Sequence, residues 1–574
     1  MTPTGVTMRI ATAAVAVFVF VFSFLLRYND PSGSFAGLTD DHFFYLVRGW
    51  QILFGDLPVR DFVDHGAPGY FYVSAAVQAV IGRGTWSELL FSTVVLSLGA
   101  SLTFWIAARA SGSMLFGLLG AAFHVFLEPR YYNYPKIIVY AVAIPVLWGF
   151  ANRPGTRRAL AVAAVTAAGF MLRHDHGVFV AIGMATLLIG LRGVTWSARL
   201  RHAVVYGALV VALLSPYLVF IQLNGGLVPY FRSASAWAER DRGRAEVVWP
   251  GPLDNPEGVS EAATQGPWLQ RARATYHDNR VAWLYYTMLA LPAVAAAALA
   301  ASRDAFRPGW PHAGAKVAVV IVLGLVLNAG FFRHPLEARL ADPSVPHAVL
   351  IAWLGAGLVR AWVRREALRA PLQRYRWAAP ACLAAITLPI MLIVAALLSD
   401  DTYRRLDKSS MAERPRNAFE RVAQITEVMR ASWPVNLAQR PDEESMRLAA
   451  YVRECTLPED RVFFTPYMPQ VLSLAGRAFA GGHADLRSGF FETAEEQQTT
   501  IARLSRQSVP MVFFDAGELP SFRESFPLIV RYLDERFVAA GERTLSDRRT
   551  MVLLVDRNRT PVRTHEALDW PCFR

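Results

Sequence analysis

Charge is scarce in this chain: Asp, Glu, Lys and Arg make up 18% of its 574 residues, against 53% hydrophobic and 12% aromatic. Soluble globular domains carry about 25% charge, so a string of ordinary soluble domains is excluded. Disorder is excluded as well, because a chain rich in Leu, Ile, Val and Phe has ample apolar surface to bury. Cysteine is nearly missing, with Cys382, Cys455 and Cys572 as the full set, and neither a CxxC nor an HExxH pattern occurs. No repeat of 20 to 50 residues, heptad seam or low-complexity tract is present. Although the formal charge is +12, no basic stripe is interleaved with aromatics, so nucleic acid is not an expected partner. What the chain has in abundance is long apolar runs, and an integral membrane protein is the class that fits.

About 20 mostly apolar residues cross a bilayer. Eleven runs qualify, several of them short: Met8 to Leu26, Trp86 to Ala108, Ser113 to Leu127, Ile137 to Phe150, Ala159 to Leu172, Gly177 to Leu191, Ala203 to Gln222, Val281 to Ala300, Val317 to Phe332, His347 to Trp362 and Ala378 to Leu398. With the N-terminus inside, the cytoplasmic connections collect seventeen Lys and Arg against Asp304 and Glu366 alone, the asymmetry of the positive-inside rule. An odd number of spans then puts the C-terminus outside. The first run is longer than a signal-peptide core, which favours an uncleaved anchor. The expected architecture is a polytopic α-helical membrane part, 1–399, followed by an extracytoplasmic α/β domain, 400–574. In that exterior domain a Cys455–Cys572 disulfide is chemically permitted, and two free thiols are an equal reading.

The first exterior loop, 27–85, is neither a linker nor a compact domain. It reads Thr39-Asp40-Asp41-His42-Phe43-Phe44-Tyr45, then Gly55-Asp56-Leu57-Pro58-Val59-Arg60-Asp61-Phe62-Val63-Asp64-His65-Gly66-Ala67-Pro68-Gly69-Tyr70. Residues Phe43 to Phe54 and Tyr70 to Ile81 suit two helices with broad apolar faces at the membrane interface. An acidic pair would open the first, at the favourable end of the helix dipole. A helix N-cap at Thr39 or Asp40 is the structural alternative for the same residues.

An acidic pair opening an amphipathic helix, then Gly-x-x-Pro-x-x-Asp, then a helix led by Pro-Gly-Tyr, resembles the GT-C fold glycosyltransferases. The similarity is to protein O-mannosyltransferases, aminoarabinose transferases, lipopolysaccharide sugar transferases and arabinosyltransferases, at the level of loop motif and topology. It implies a polyprenyl-phosphate-linked sugar donor, a glycan or glycolipid acceptor and an aspartate of this loop as base. Residue by residue, the acidic pair falls on Asp40 and Asp41 and the later acid on Asp61 or Asp64, with His65 beside it as a substrate contact. Many relatives have Asp-Glu where this chain has Asp-Asp, which leaves open which member is the base. The chemistry agrees, since glycosyl transfer needs a carboxylate to take the acceptor proton as the anomeric carbon gains positive charge.

Three further connections carry charge at membrane depth, where it is functional by default. After the third span come Glu128, Arg130, Tyr132 and Lys136. The two cations are candidates for a lipid phosphate and Tyr132 for sugar or prenyl stacking, with an interfacial aromatic belt as the alternative. Arg173-His174-Asp175-His176 sits between two spans. Arg173 suits a phosphate, while His174 and Asp175, with Glu128, are a weak set for a divalent metal such as Mg or Mn. After the ninth span, Arg333 and His334 suit the departing polyprenyl phosphate. The stretch 224–280 reads as a long exterior loop with Tyr230, Phe231, Trp237, Trp249 and Trp268 as sugar-stacking or packing aromatics.

Beyond residue 400 the pattern becomes that of a small α/β unit. Strands are expected at Arg461 to Thr465, Met511 to Asp515 and Thr550 to Asp556, with helices at Ala494 to Gln507 and Phe522 to Ala540. The apolar strands suit a buried parallel sheet. No Gly-x-Gly-x-x-Gly follows the first strand, so a dinucleotide site is not expected. The sequence therefore points to an inverting glycosyltransferase of the bacterial inner or plasma membrane, acting on the exterior face. A lipid-linked-sugar flippase, or a non-catalytic scaffold of the same fold, is the alternative.

Overall fold

The computed structural model describes residues 5–29, 40–243, 248–251, 267–301, 311–332, 339–363, 400–412, 415–431, 433–434, 444–545 and 548–574. The last expected span, 378–398, lies outside them, as do Cys382, Arg333 and His334. The chain is mostly helical, with a small C-terminal sheet. In order come α1 (Gly5–Tyr28), α2 (Asp40–Leu53), α3 (Pro68–Ile81), α4 (Thr85–Ser111), α5 (Met114–Phe126), α6 (Tyr134–Asn152), α7 (Thr156–Leu172), α8 (His174–Gly190), α9 (Trp196–Leu223) and α10 (Leu227–Gly243). There follow α11 (Trp268–Ala301), α12 (Ala313–Asn328), α13 (Ser344–Val363), α14 (Asp400–Lys408), α15 (Pro415–Ala431) and α16 (Glu444–Cys455). The C-terminal part holds β1 (Arg461–Phe464), α17 (Pro469–Ala475), β2 (Ala478–Phe479), α18 (Ala494–Arg506), β3 (Met511–Asp515), α19 (Leu519–Ser525), α20 (Pro527–Arg536), β4 (Phe537–Thr544), β5 (Thr550–Asp556), β6 (Arg563–His565) and β7 (Trp570–Cys572).

One compact unit gathers the described residues of 1–30, 92–216 and 242–418. Among the described residues, five helices are long and apolar enough to cross a membrane: Met8–Tyr28, Thr85–Ser111, Tyr131–Asn152, Trp196–Leu223 and Asn279–Ala300. Helices α5, α8, α12 and α13 are apolar but shorter, and α7 opens with Arg157 and Arg158 in its first turn. On α9, Trp196, Leu200, Val204, Val211 and Leu223 are all exposed. Water would penalise so much bare aliphatic surface on one helix, whereas lipid is its natural solvent. Inside this unit small residues let helices close up: a Cβ on Gly120 of α5 would sit 2.8 Å from the Ala348 carbonyl oxygen of α13. The expected loop 224–280 carries helical structure at both ends, in α10 and in the start of α11.

The second compact unit gathers the described residues of 31–91, 217–241 and 419–574. The first exterior loop thus clusters with the sheet, while residues 400–418 cluster with the helices of the first unit. Its sheet has the order β2-β1-β3-β5-β4. Strand β1 is parallel to β2 and β3, with Val462 opposite Met511. Strand β5 is antiparallel to both β3 and β4, with Phe513 opposite Leu553, so the sheet is mixed where an all-parallel one was expected. The helix expected over Phe522 to Ala540 is broken at Phe526, because Pro527 cannot donate the next helical hydrogen bond. Its last residues, Phe537–Ala540, instead open β4. Phe463, Val512, Phe514, Ile529 and Leu533 form the core beneath the helices. Cys455 and Cys572 are joined as a disulfide with their Cα atoms 4.2 Å apart.

Candidate functional site

The two loop helices form as expected, but the apolar face of α2 is covered by protein. Phe43, Leu46, Val47 and Trp50 are each at most 3% exposed, and α2 packs against α3, α17 and β2. Polar contacts fasten the loop to the C-terminal residues of the same unit. Gln51 donates to the Phe479 carbonyl at 3.0 Å and accepts from the Phe479 N–H at 3.1 Å. Asp56 holds Arg461 through both oxygens, at 2.5 and 3.0 Å. The Val63 N–H donates to the Gly482 carbonyl at 3.1 Å, and the Phe62 ring meets Phe479 edge-on.

Held in this way, the loop carboxylates divide by how many donors surround each. Asp64 is 7% exposed; its Oδ1 accepts from the N–H groups of Gly66 and Ala67, and its Oδ2 from the hydroxyls of Tyr217 at 3.1 Å and Tyr230 at 2.7 Å. Burial and the Asp64 charge push the Tyr230 phenol upward, so it stays protonated and donating. Asp61 accepts from the Leu57 N–H and from two nitrogens of Arg60. Burial opposes its charge, but those bonds outweigh burial and lower its pKa. Asp56 is spent on Arg461 and Gln51. Asp41, in the first turn of α2, is exposed and has a single hydrogen bond among the described residues, from the Tyr467 hydroxyl to Oδ1 at 3.0 Å. Asp40 opens α2, and Thr39 lies outside the described residues, so the capping alternative falls where no contact is described.

Helical spacing sets the neighbours of Asp41. Phe44 and Arg48 follow on the same face, with the Arg48 guanidinium carbon 3.4 Å above the Phe44 ring. Arg48 is 2% exposed, and burial brings its pKa down to about 10 although Asp485 and Tyr467 support the charge. Its Nη2 lies 3.3 Å from His65 Nε2. A guanidinium only donates, so Nε2 accepts and the imidazole proton sits on Nδ1. Burial, then the charges of Arg48, His483 and Arg487, holds the His65 pKa well below its usual value, and the ring is neutral. The Phe44 ring stacks on His65 with centroids 5.5 Å apart, and the Trp237 ring lies 5.0 Å from His65 between centroids. His42, one residue after Asp41, faces the packing instead: it is 1% exposed and lies 3.8 Å from Glu88, and burial lowers its pKa to about 3.

The remaining candidates lie in the first unit. Lys136 pairs with Asp342 at 2.6 Å, and Asn133 donates to the other oxygen of Asp342. Arg173 grips Asp175 through two nitrogens, and His176 meets the Tyr140 hydroxyl at 2.9 Å. Arg130 donates to the Tyr132 hydroxyl at 3.2 Å. The weak metal set is not gathered: Glu128 pairs with Arg405, Asp175 with Arg173, and His174 stacks on Phe170. Among the described residues no group of three or more His, Cys, Asp or Glu is placed to hold a metal ion. Of the loop aromatics, Trp237 and Tyr230 line the second unit's site, whereas Trp249 packs against Tyr286 and Phe332.

Sequence reasoning missed Arg48, Tyr467, Asp485 and Arg487. Arg48 had a local signal, seven residues after Asp41 and so two turns along the same helix face. The other three had none, since 426 residues separate Tyr467 from Asp41. No family model and no curated protein matches the chain, so the resemblance to the GT-C transferases rests on the loop residues themselves.

Proposed function

We propose that the protein is an inverting glycosyltransferase that moves a sugar from a polyprenyl-phosphate donor to a hydroxyl of an envelope glycan or glycolipid. Asp41 is the base. The observation that carries this reading is the contrast among the four loop carboxylates with described side chains. Asp56, Asp61 and Asp64 each accept three or four hydrogen bonds, whereas Asp41 is exposed and accepts one among the described residues. A carboxylate already accepting that many hydrogen bonds has little capacity to take a proton, while one oriented by a single phenol keeps it. In the reaction the Asp41 carboxylate takes the acceptor proton as the acceptor oxygen bonds to the anomeric carbon. The bond from that carbon to the phosphate oxygen breaks on the opposite side, and the polyprenyl phosphate leaves with the electron pair. Direct displacement inverts the anomeric configuration.

The same reading puts the chain in a bacterial inner or plasma membrane with eleven spans, the N-terminus cytoplasmic and the sheet outside. The bias of Lys and Arg toward one set of connections supports that orientation. So does the Cys455–Cys572 disulfide, a bond that persists in oxidising compartments. The test is label transfer from radiolabelled polyprenyl-phosphate sugars to envelope glycolipids by the purified chain. Asp41→Asn should cost about 10² to 10⁴ in rate and leave donor binding intact. Transfer at the wild-type rate by Asp41→Asn would remove Asp41 as base, and saturable donor binding without transfer by the wild type would favour the flippase.

A further inference from the structure

The segment after β2 presents a second charged group beside Asp41, one with no role in the reading above. It is rigidly set. Gly481 and Gly482 take left-handed φ values of 68° and 85°, and a Cβ at Gly482 would sit 2.9 Å from the Asp61 carbonyl oxygen, so the chain turns here against the loop. His483 Nε2 meets the Thr500 hydroxyl at 3.0 Å, and the Leu486 N–H donates to the Thr465 carbonyl at 3.1 Å. The next residue, Arg487, gives its Nε to Asp485 Oδ2 at 2.8 Å and lays its guanidinium 4.7 Å from the centre of the Tyr467 ring. That is the ring whose hydroxyl holds Asp41.

With Nε taken by Asp485, the Nη1 and Nη2 atoms of Arg487 have no hydrogen-bond partner among the described residues, and the side chain is 27% exposed. A planar guanidinium with one edge anchored and the other open is shaped for two oxygens of an oxyanion. Arg48 and Arg487 both face Asp485, and the charge of each helps to hold the His65 pKa down. The Phe44, His65 and Trp237 rings complete an aromatic wall of the kind on which sugars stack.

We propose that Arg487 is an oxyanion subsite, its Nη1 and Nη2 edge taking two oxygens of a phosphate or carboxylate carried by one of the two substrates. The subsite rests on the transferase reading for its purpose but not for its test, which measures binding without turnover. The full chain in detergent is titrated calorimetrically with farnesyl phosphate, galacturonate and galactose. One of the two charged probes should bind at least tenfold more tightly than galactose. Farnesyl phosphate would assign the oxyanion to the donor, and galacturonate would assign it to the acceptor. Arg487→Ala should abolish the preference. Asp485→Asn, which removes the competing carboxylate, should keep or increase it. Asp41→Asn should retain it, and a wild-type chain that binds the charged probe yet transfers no sugar would remove the transferase and leave the subsite. The subsite is overturned if the wild type shows no preference for charge, if the preference survives Arg487→Ala, or if both variants at the 485–487 pair lose it alike.

Discussion

The Tyr467 hydroxyl makes the one described hydrogen bond to Asp41, so Tyr467→Phe isolates what orientation contributes to the proposed base. A hydrogen bond to a charged group is worth about 1.5–3 kcal/mol. Asp41 is exposed, and water replaces the phenol as donor when the hydroxyl is removed, so the lower end or less applies. A loss of about 1 kcal/mol corresponds to roughly fivefold in rate. That is far below the 10²- to 10⁴-fold expected for removing a base outright, and the gap separates a positioning residue from a catalytic one. The assay is single-turnover transfer of label at saturating donor, with wild type, Tyr467→Phe, Asp41→Asn and the double variant. The fall for Tyr467→Phe should appear in the transfer rate with donor affinity unchanged. The double variant should be no slower than Asp41→Asn, because a positioning residue has nothing to position once its target is gone. Two losses that multiply in the double variant, or a Tyr467→Phe loss as large as that of Asp41→Asn, would refute the division of roles.

Two predictions concern the stability of the unit that carries the site. Burial, then the charges of Arg503 and Arg48, lowers the His483 pKa from 6.5 to about 3. Between those values the unfolded chain binds more protons, so stability falls as pH drops below 6.5, by about 2 kcal/mol from this residue near pH 5. His483→Gln should flatten the acid limb of the unfolding midpoint against pH, and an unchanged limb would show that His483 does not control it. Asp56 and Arg461 are 14% and 16% exposed, and removing one partner of a pair that buried costs about 3 kcal/mol. Hydrogen exchange of α2 and β2 should therefore accelerate in Asp56→Ala and in Arg461→Ala, with the double variant less affected than the sum, and additive effects would deny the coupling.

Much of the helical architecture was legible because apolar length is written locally. The expected run Ala203 to Gln222 lies within α9, and Trp86 to Ala108 within α4. The ends were less legible: α11 starts at Trp268, well before the expected Val281, because Gln and Arg continue a helix without being apolar. Strand β3 was read at its observed limits, Met511–Asp515, since a fully buried strand is a short unbroken apolar run. The failure at Phe537–Ala540 has a tertiary cause. Val538 pairs with Val555 and Ala539 with Leu554, and that cross-strand pairing overrides a local pattern that continues the preceding helix.

The loop itself was legible as a place of chemistry but not as to which carboxylate is free. Asp41, Asp56, Asp61 and Asp64 are equivalent in sequence, and what distinguishes them is the number of donors brought to each, by neighbours at Asp61 and by distant segments at Asp56 and Asp64. Arg461 comes to Asp56 from 405 residues away, and Tyr230 to Asp64 from 166 away. Three acids are thereby spent on fixing the loop, and their charge is compensated where they stand. The cost of holding α2 and α3 in one geometry is met by these hydrogen-bonded carboxylates together with the buried faces of Phe43, Leu46 and Trp50. Asp41 is left with one orienting bond and an open side. A site built in this way needs the C-terminal residues twice, once to hold the helix that carries Asp41 and once to aim its carboxylate. The C-terminal sheet is therefore part of the proposed catalytic apparatus, because without Arg461, Phe479 and Tyr467 the loop keeps its acids and loses much of the asymmetry among them.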